Sequence, residues 1–260
     1  MKFFLPLSLV LLLLALGGSG SVVSASEQPL RIAVASNFTP VLKKLLVEFH
    51  QQTKINTQVI SGATGTLFLQ IKHGAPFDIF IAADSARPAQ LEQQNLVLAN
   101  SRHTYALGQL ALLSMTSSAR LSDLHKVPQR FAIANPDTAP YGKAAKQALK
   151  YLNIWSQYQP KLIQGINVNQ TFAQIRSQAV NSGLVANSQL VLNNLTGVII
   201  PPAYHQAIAQ QLVIIKSSDN INNAQRLSDY LRSAAVQQKI VDWGYASFGN
   251  NEQEQSHDQP

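Results

Sequence analysis

The sequence predicts an α/β fold of two lobes, each a mostly parallel sheet flanked by helices and joined to the other by a two-segment hinge. Three observations carry this. Strand-length apolar runs alternate with helix-period patterns, which is how parallel strands with crossover helices read. The alternation comes as two series. Two long extended apolar stretches lie where the chain would pass between them.

The first series opens at residues 31–35, RIAVA, an apolar run of the kind a buried parallel strand needs, ending in the small polar pair Ser36-Asn37. Thr39 is placed to cap a following helix with Pro40 in its first position. Val41, Leu42, Leu45, Leu46 and Phe49 then recur at helical spacing, with Lys43, Lys44 and Glu48 between them. Residues 56–61 read as a second strand and 66–73 as a second helix, with Gly62-Ala63-Thr64-Gly65 between. A third strand at 78–83 stops at Asp84, and a helix covers 86–94.

The second series has a strand at 130–134 and a helix at 140–152 bearing Ala144, Ala145, Ala148, Leu149 and Leu152 on one side. Residues 161–166 lead into a helix carrying Phe172, Ile175 and Ala179, and 183–186 makes a short strand. The connecting stretches are 104–115 and 209–215. A helical segment at 221–248, with Ile221, Ala224, Leu227, Leu231 and Ala234 in phase, should return to the first lobe. The expected organisation is therefore lobe 1 at 26–107, lobe 2 at 108–214 and a return to lobe 1 at 215–249. The tail 250–260, NNEQEQSHDQP, has nothing apolar to bury and is expected to be disordered.

At the start, Met1-Lys2 leads into an apolar run from Phe3 to Leu16 and then to Val23-Ser24-Ala25, the small-x-small form of a signal-peptidase site. Residues 1–25 read as a signal peptide cleaved near Ala25, because the run is short for a spanning helix. The chain has no cysteine, so it must stand on its own core, for which an apolar fraction of 46% is ample. An exported, disulfide-free chain of this length fits a bacterial periplasm, and with no cysteine after the leader a lipid anchor there is not expected. Net charge is +7, or +6 once Lys2 leaves with the leader, since no acid precedes Glu27. Charged residues are only 13%, with no Lys/Arg cluster interleaved with aromatics, so nucleic acid is not an expected partner.

The search for catalytic chemistry is negative. Gly62-Ala63-Thr64-Gly65 follows a strand but no Lys-Ser/Thr comes after it, so it is not a nucleotide-binding P-loop. No Gly-x-Ser-x-Gly elbow is present, Ser218-Asp219-Asn220 has no Ser-x-x-Lys to accompany it, and the six histidines have no metal-ligand spacing. What remains is a set of neutral donors at strand-to-helix junctions, two in each lobe: Ser36-Asn37, Ala63-Thr64, Pro140-Tyr141 and Val168-Asn169. Opening toward one cleft, they would hold an anion by hydroxyls and backbone N–H groups without a cationic side chain.

At these residues the sequence resembles the periplasmic molybdate-binding proteins of ABC importers, within the two-lobed periplasmic-binding-protein fold. The resemblance covers essentially all of the chain after the leader. It is carried by AVASNF from Ala33, SGATGTLFLQIKHGAPFDIFIAAD from Ser61, TYALGQLALLS from Thr104 and ANPDTAPYG from Ala134. The block with Gly74-Ala75-Pro76, Asp78 and Ala83-Asp84 is the most specific. The resemblance implies an oxyanion, molybdate and with it tungstate, bound by Ser36, Asn37 and Thr64 from the first lobe and by Tyr141 and the Val168 N–H from the second. It also implies no catalysis, no cofactor and no metal cation, a monomer, and an inner-membrane permease as partner. Many members carry a tyrosine at the position of Ala186 and a small residue at that of Tyr141; here the two are exchanged, as in a subgroup, so the phenol should enter from a neighbouring segment. Asp84 is expected to cap the following helix or steady the hinge, because a carboxylate would repel an anion. The alternatives are a receptor for sulfate or thiosulfate, which the fold alone does not exclude, and a periplasmic hydrolase of phosphate or sulfate esters, against which the missing nucleophile-base pair counts.

Overall fold

The computed structural model describes residues 28–247; the leader expected at 1–25 and the tail expected at 250–260 lie outside the described residues. The chain begins with β1 (Leu30–Ala35), α1 (Thr39–Thr53), β2 (Thr57–Gly62), α2 (Thr64–Lys72), β3 (Ile79–Ile81) and α3 (Ala86–Gln93). Two consecutive strands follow, β4 (His103–Gly108) and β5 (Leu110–Ser114). Next come β6 (Phe131–Ala134), α4 (Pro140–Tyr151), α5 (Trp155–Tyr158), β7 (Leu162–Gly165), α6 (Val168–Arg176), β8 (Ser182–Ala186), α7 (Asn187–Leu192) and β9 (Val198–Ile199). The chain closes with β10 (Ile208–Ile214), α8 (Ile221–Arg232) and α9 (Ala234–Asp242).

These strands form two five-stranded sheets, β2-β1-β3-β10-β4 and β7-β6-β8-β5-β9. Each repeats one plan. A parallel trio, with β1 between β2 and β3 or β6 between β7 and β8, is followed by a strand that runs antiparallel, β10 in one sheet and β5 in the other. This is the two-lobed α/β architecture the sequence predicts. The extended stretch expected at 104–115 is split by Gln109: β4 completes the first sheet and β5 enters the second, so the first crossing is made within a residue or two of Gly108.

Alternation along the strands divides the first core into two faces. Ile32, Val34, Ile79, Ile81, Leu212 and Ile214 pack with the apolar stripes of α1, α8 and α9. Ala33, Phe80, Ala82 and Val213 pack on the other face with Leu67, Phe68 and Ile71 of α2 and Leu91 of α3. The second lobe has one continuous core, from Leu110 through Phe131, Ala145, Ile175 and Leu184 to Ile208.

Four details differ from the sequence expectations. Thr39 does not cap α1; Phe38 is the N-cap residue, and the Thr39 hydroxyl instead donates to the Ala35 carbonyl and bonds Ser61 Oγ at 2.7 Å, tying the β1–α1 turn to β2. Helix α2 starts at Thr64 rather than 66, because Ala63 is already the extended residue that precedes the first turn. The return to the first lobe comes at β10, not at 215: β10 pairs along its length with β3 and β4, and Leu212, Val213 and Ile214 pack in the first lobe's core, while Ile208 at its start still packs against the second. The helix expected across 221–248 breaks at Ser233, whose ψ of 145° is extended, and α9 ends at Asp242 with Gly244 in a left-handed turn at φ +91°.

Candidate functional site

Parallel strands of open α/β sheets carry ligands beyond their C-terminal ends, where helices begin. Here those ends are Ala35 of β1, Gly62 of β2, Ala134 of β6 and Gly165 of β7, aligned in register as Ala35 with Gly62 and Ala134 with Gly165. The junctions that follow lead into α1, α2, α4 and α6 and meet where the two lobes face each other. A small cavity between them is lined by Ser36, Asn37, Thr64, Ala83, Tyr141 and Val168 among others, and no Lys, Arg, His, Asp or Glu lines it. All five residues singled out from the sequence therefore lie around one space. They are buried, none more than 4% exposed.

The lining is rich in donors. The first-turn N–H groups of a helix lack intrahelical acceptors. Thr64 and Val168 each open their helices, Tyr141 is second in α4, and no acidic residue occupies the first turn of α1, α2, α4 or α6 to claim those groups. The backbone N–H groups of Asn37, Thr64, Tyr141 and Val168 make no hydrogen bond to protein acceptors among the described residues, and neither does the Ser36 hydroxyl. Thr64 Oγ1 accepts the Ala83 N–H at 3.1 Å, which leaves its own proton for something else. Four helix N-termini thus direct positive dipole ends and free donors at a common point, the arrangement by which a fold holds an anion without a cationic side chain.

Asn37 contributes differently from Ser36. Its side-chain nitrogen donates to Gln210 Oε1 at 2.9 Å and to the Tyr245 hydroxyl at 3.2 Å, so both amide hydrogens are used inside the protein and the backbone N–H is the donor left for the cavity. Tyr141 enters from the second lobe. Its hydroxyl accepts from Gln210 Nε2 at 3.2 Å and lies over Gly108, where a Cβ would come within 2.4 Å of it. The glycine at the crossing is therefore what lets the phenol reach the hinge. Burial pushes the Tyr141, Tyr105 and Tyr245 phenols well above their ordinary range, so all three stay neutral and protonated near pH 7.

Asp84 stays out of the cavity. Its Oδ1 accepts the Arg87 N–H in the first turn of α3, and its other oxygen pairs with the Arg87 guanidinium, the capping role expected from sequence. Outside the small cavity a wider cleft of about 520 Å³ separates the lobes, lined by Asp84, Arg87, Asp137 and Lys143. Two hydrogen bonds cross beside it: Gly65 N–H to the Thr138 carbonyl at 2.8 Å and Arg87 Nη2 to the Asp137 carbonyl at 2.9 Å. The wider cleft is the larger space, but its charges are exposed or already paired, whereas the free donors converge on the small one.

Sequence reasoning missed Gln210, Tyr105 and Tyr245, which stand behind the lining. Gln210 is fully buried in β10, and Tyr245 packs edge-on against Phe38. In sequence Gln210 is in phase with Ile208, Leu212 and Ile214, so alternation along β10 puts it on a buried face, but a polar residue beside Gln211 in a strand read only as a connecting segment was not singled out. Among the described residues no group of His, Asp or Glu is arranged to hold a metal ion, and no helix is long and apolar enough to cross a membrane.

Comparison with known proteins places this geometry in context. The sequence model of the family described as bacterial extracellular solute-binding protein matches residues 30–246. The molybdate-binding protein of Azotobacter vinelandii is 34% identical over 247 residues, covering 92% of this chain and 98% of the relative. That of Rhodobacter capsulatus is 29% identical over 233 residues, covering 88% and 92%. Among solved structures, the Azotobacter vinelandii periplasmic molybdate-binding protein superposes with a TM-score of 0.80 at 31% identity, over 85% of this chain and 100% of the other. A sulfate-binding protein from Mycobacterium tuberculosis superposes with a TM-score of 0.70 at 9% identity, a likeness of fold alone.

Proposed function

The chain belongs to the bacterial extracellular solute-binding proteins, and on that premise we propose that it captures a tetrahedral oxyanion, molybdate and with it tungstate, between its lobes and delivers it to the permease of an ABC importer. The observation that carries this is the convergence of four helix N-termini, two from each lobe, on a cavity lined by neutral donors and no charged side chain. Ser36 and Thr64 would give hydroxyl donors, Asn37 and Val168 backbone N–H groups, and Tyr141 its phenol. Relatives named for molybdate binding along nearly their whole length support the choice of ion. Molybdate is cargo in this reading, not a cofactor. The protein works in the periplasm as a monomer, its leader removed near Ala25.

The donor set also argues against competitors. Sulfate is a smaller tetrahedron, so donors fixed on two lobes cannot all close on it. Hydrogenphosphate carries a proton that needs an acceptor, yet Thr64 Oγ1 already accepts from Ala83 and the Tyr141 oxygen from Gln210. No carboxylate or imidazole lines the cavity to act as the base of a hydrolase. The test is thermal melting with each ion, beside a hydrolysis assay on a generic phosphate ester. Molybdate or tungstate at a hundred times its dissociation constant should add about 2.7 kcal/mol of stability and raise Tm accordingly, with no ester turnover. Equal stabilisation by sulfate at equal concentration would remove the molybdate assignment.

A further inference from the structure

Behind the cavity, the Gln210 side chain joins both lobes and the ligand loop. Its Oε1 accepts from Asn37 Nδ2 at 2.9 Å and from the Tyr105 hydroxyl at 3.0 Å, and its Nε2 donates to the Tyr141 hydroxyl at 3.2 Å. The polarity is set from the far side. The Tyr105 hydroxyl shares its single proton with the Ala82 carbonyl at 2.9 Å, so the orientation is fixed through Asn37. The Tyr245 hydroxyl donates to the Asn37 carbonyl at 3.3 Å and so accepts from Asn37 Nδ2. That same NH₂ faces Gln210, and the Gln210 amide oxygen must face Asn37 with its NH₂ toward Tyr141. A phenol that receives an N–H there cannot give its single proton in the same direction. With Gly108 pressed against the hydroxyl on another side, that proton is left to point into the cavity. Gln210 lies in β10 and is fully buried, so its amide does not exchange its partners with water.

We propose that Gln210 is a positioning residue: it holds the Tyr141 hydroxyl as a donor to the oxyanion and fixes Asn37 from behind, so that the phenol enters the neutral shell as a donor. This rests on the oxyanion reading above and deepens it, since the amide polarity then helps reject ligands that carry a proton of their own. A glutamate at this position would invert the arrangement. Its carboxylate would accept from Asn37, Tyr105 and Tyr141 alike, drawing the phenol proton away from the cavity.

The experiment is a double-mutant cycle read by calorimetric titration with sodium molybdate, after circular dichroism has confirmed folding of each variant. In the native background Tyr141→Phe should lower molybdate affinity on the order of tenfold or more, as loss of a hydrogen bond to a charged partner does. In the Gln210→Glu background the same change should cost almost nothing, because the proton is already withdrawn. If Gln210→Glu does not fold, Gln210→Met takes its place: it frees the phenol to turn, and Tyr141→Phe should then cost clearly less than in the native background. Equal losses in both backgrounds overturn the role given to Gln210 while leaving the oxyanion reading intact. A native protein that does not bind molybdate overturns the oxyanion reading itself.

Discussion

Val168 separates what a side chain does from what its backbone does. The side chain is buried in the second-lobe core, 3% exposed, while the N–H opens α6 toward the cavity. Val168→Ala should therefore lower stability by about 1 to 2 kcal/mol through lost packing yet keep most of the molybdate affinity. Val168→Pro should do the reverse. Proline suits a first helical position, and Asn167 before it is already extended at φ −154°, ψ 173°, so the chain should fold. Loss of the donor should weaken binding on the order of tenfold or more. Calorimetry on both variants checks this, and equal affinities would take Val168 out of the site. At this scale the sequence was partly legible. Neutral donors at strand-to-helix junctions pointed to Ser36-Asn37, Ala63-Thr64, Pro140-Tyr141 and Val168-Asn169, and the family resemblance narrowed these to Ser36, Asn37, Thr64, Tyr141 and the Val168 N–H. Gln210 was invisible because its partners, Asn37 and Tyr141, lie 173 and 69 residues away.

On the proposed oxyanion reading the helix N-terminus is the element through which the site works, and α2 offers a way to test this apart from direct contact. Thr66 is an exposed residue in the first turn of α2, and that turn carries no acid. Thr66→Glu places a carboxylate where the helix dipole favours one, which should stabilise the ligand-free protein by about 0.3 to 1 kcal/mol. The same charge opposes a dianion at the helix end, so molybdate affinity should fall by a similar increment, roughly two- to fivefold. Melting without ligand and titration with molybdate should thus move in opposite directions. Affinity that is unchanged or higher would argue that the anion does not sit at this terminus. Elements were the most legible level of the sequence, since the alternation of apolar runs and amphipathic stretches is a local property. The helix from 221 onward was misjudged at Ser233 because Ala234 continues the apolar phase past the break and nothing in composition marks the extended ψ there.

At the scale of the whole molecule, affinity depends on how firmly the lobes stay together around the ion. The Arg87 guanidinium, held by Asp84, reaches the Asp137 carbonyl of the other lobe, and Gly65 lets α2 approach close enough for its N–H to meet Thr138; a Cβ there would lie 3.0 Å from that carbonyl. Neither contact touches the small cavity's free donors. Removing one should ease opening rather than alter the encounter. Arg87→Ala is expected to speed molybdate release by a few-fold, about the worth of one part-exposed hydrogen bond, with little change in the association rate by stopped flow. Unchanged release would mean that this contact does not contribute to holding the lobes. The two-lobed plan could be read from the order of the elements. The placement of β10 could not, because an apolar strand fits either sheet and only its pairing with β3 and β4 decides between them.

The central claim is that donors from both lobes, without a cation, select molybdate over smaller or protonated oxyanions. Competition calorimetry on the native protein tests it most directly, titrating molybdate alone and then in a large excess of sulfate or phosphate near neutral pH. The account predicts one site per chain and a molybdate affinity almost unaffected by either competitor. Displacement of molybdate by sulfate or phosphate at comparable concentration would contradict it.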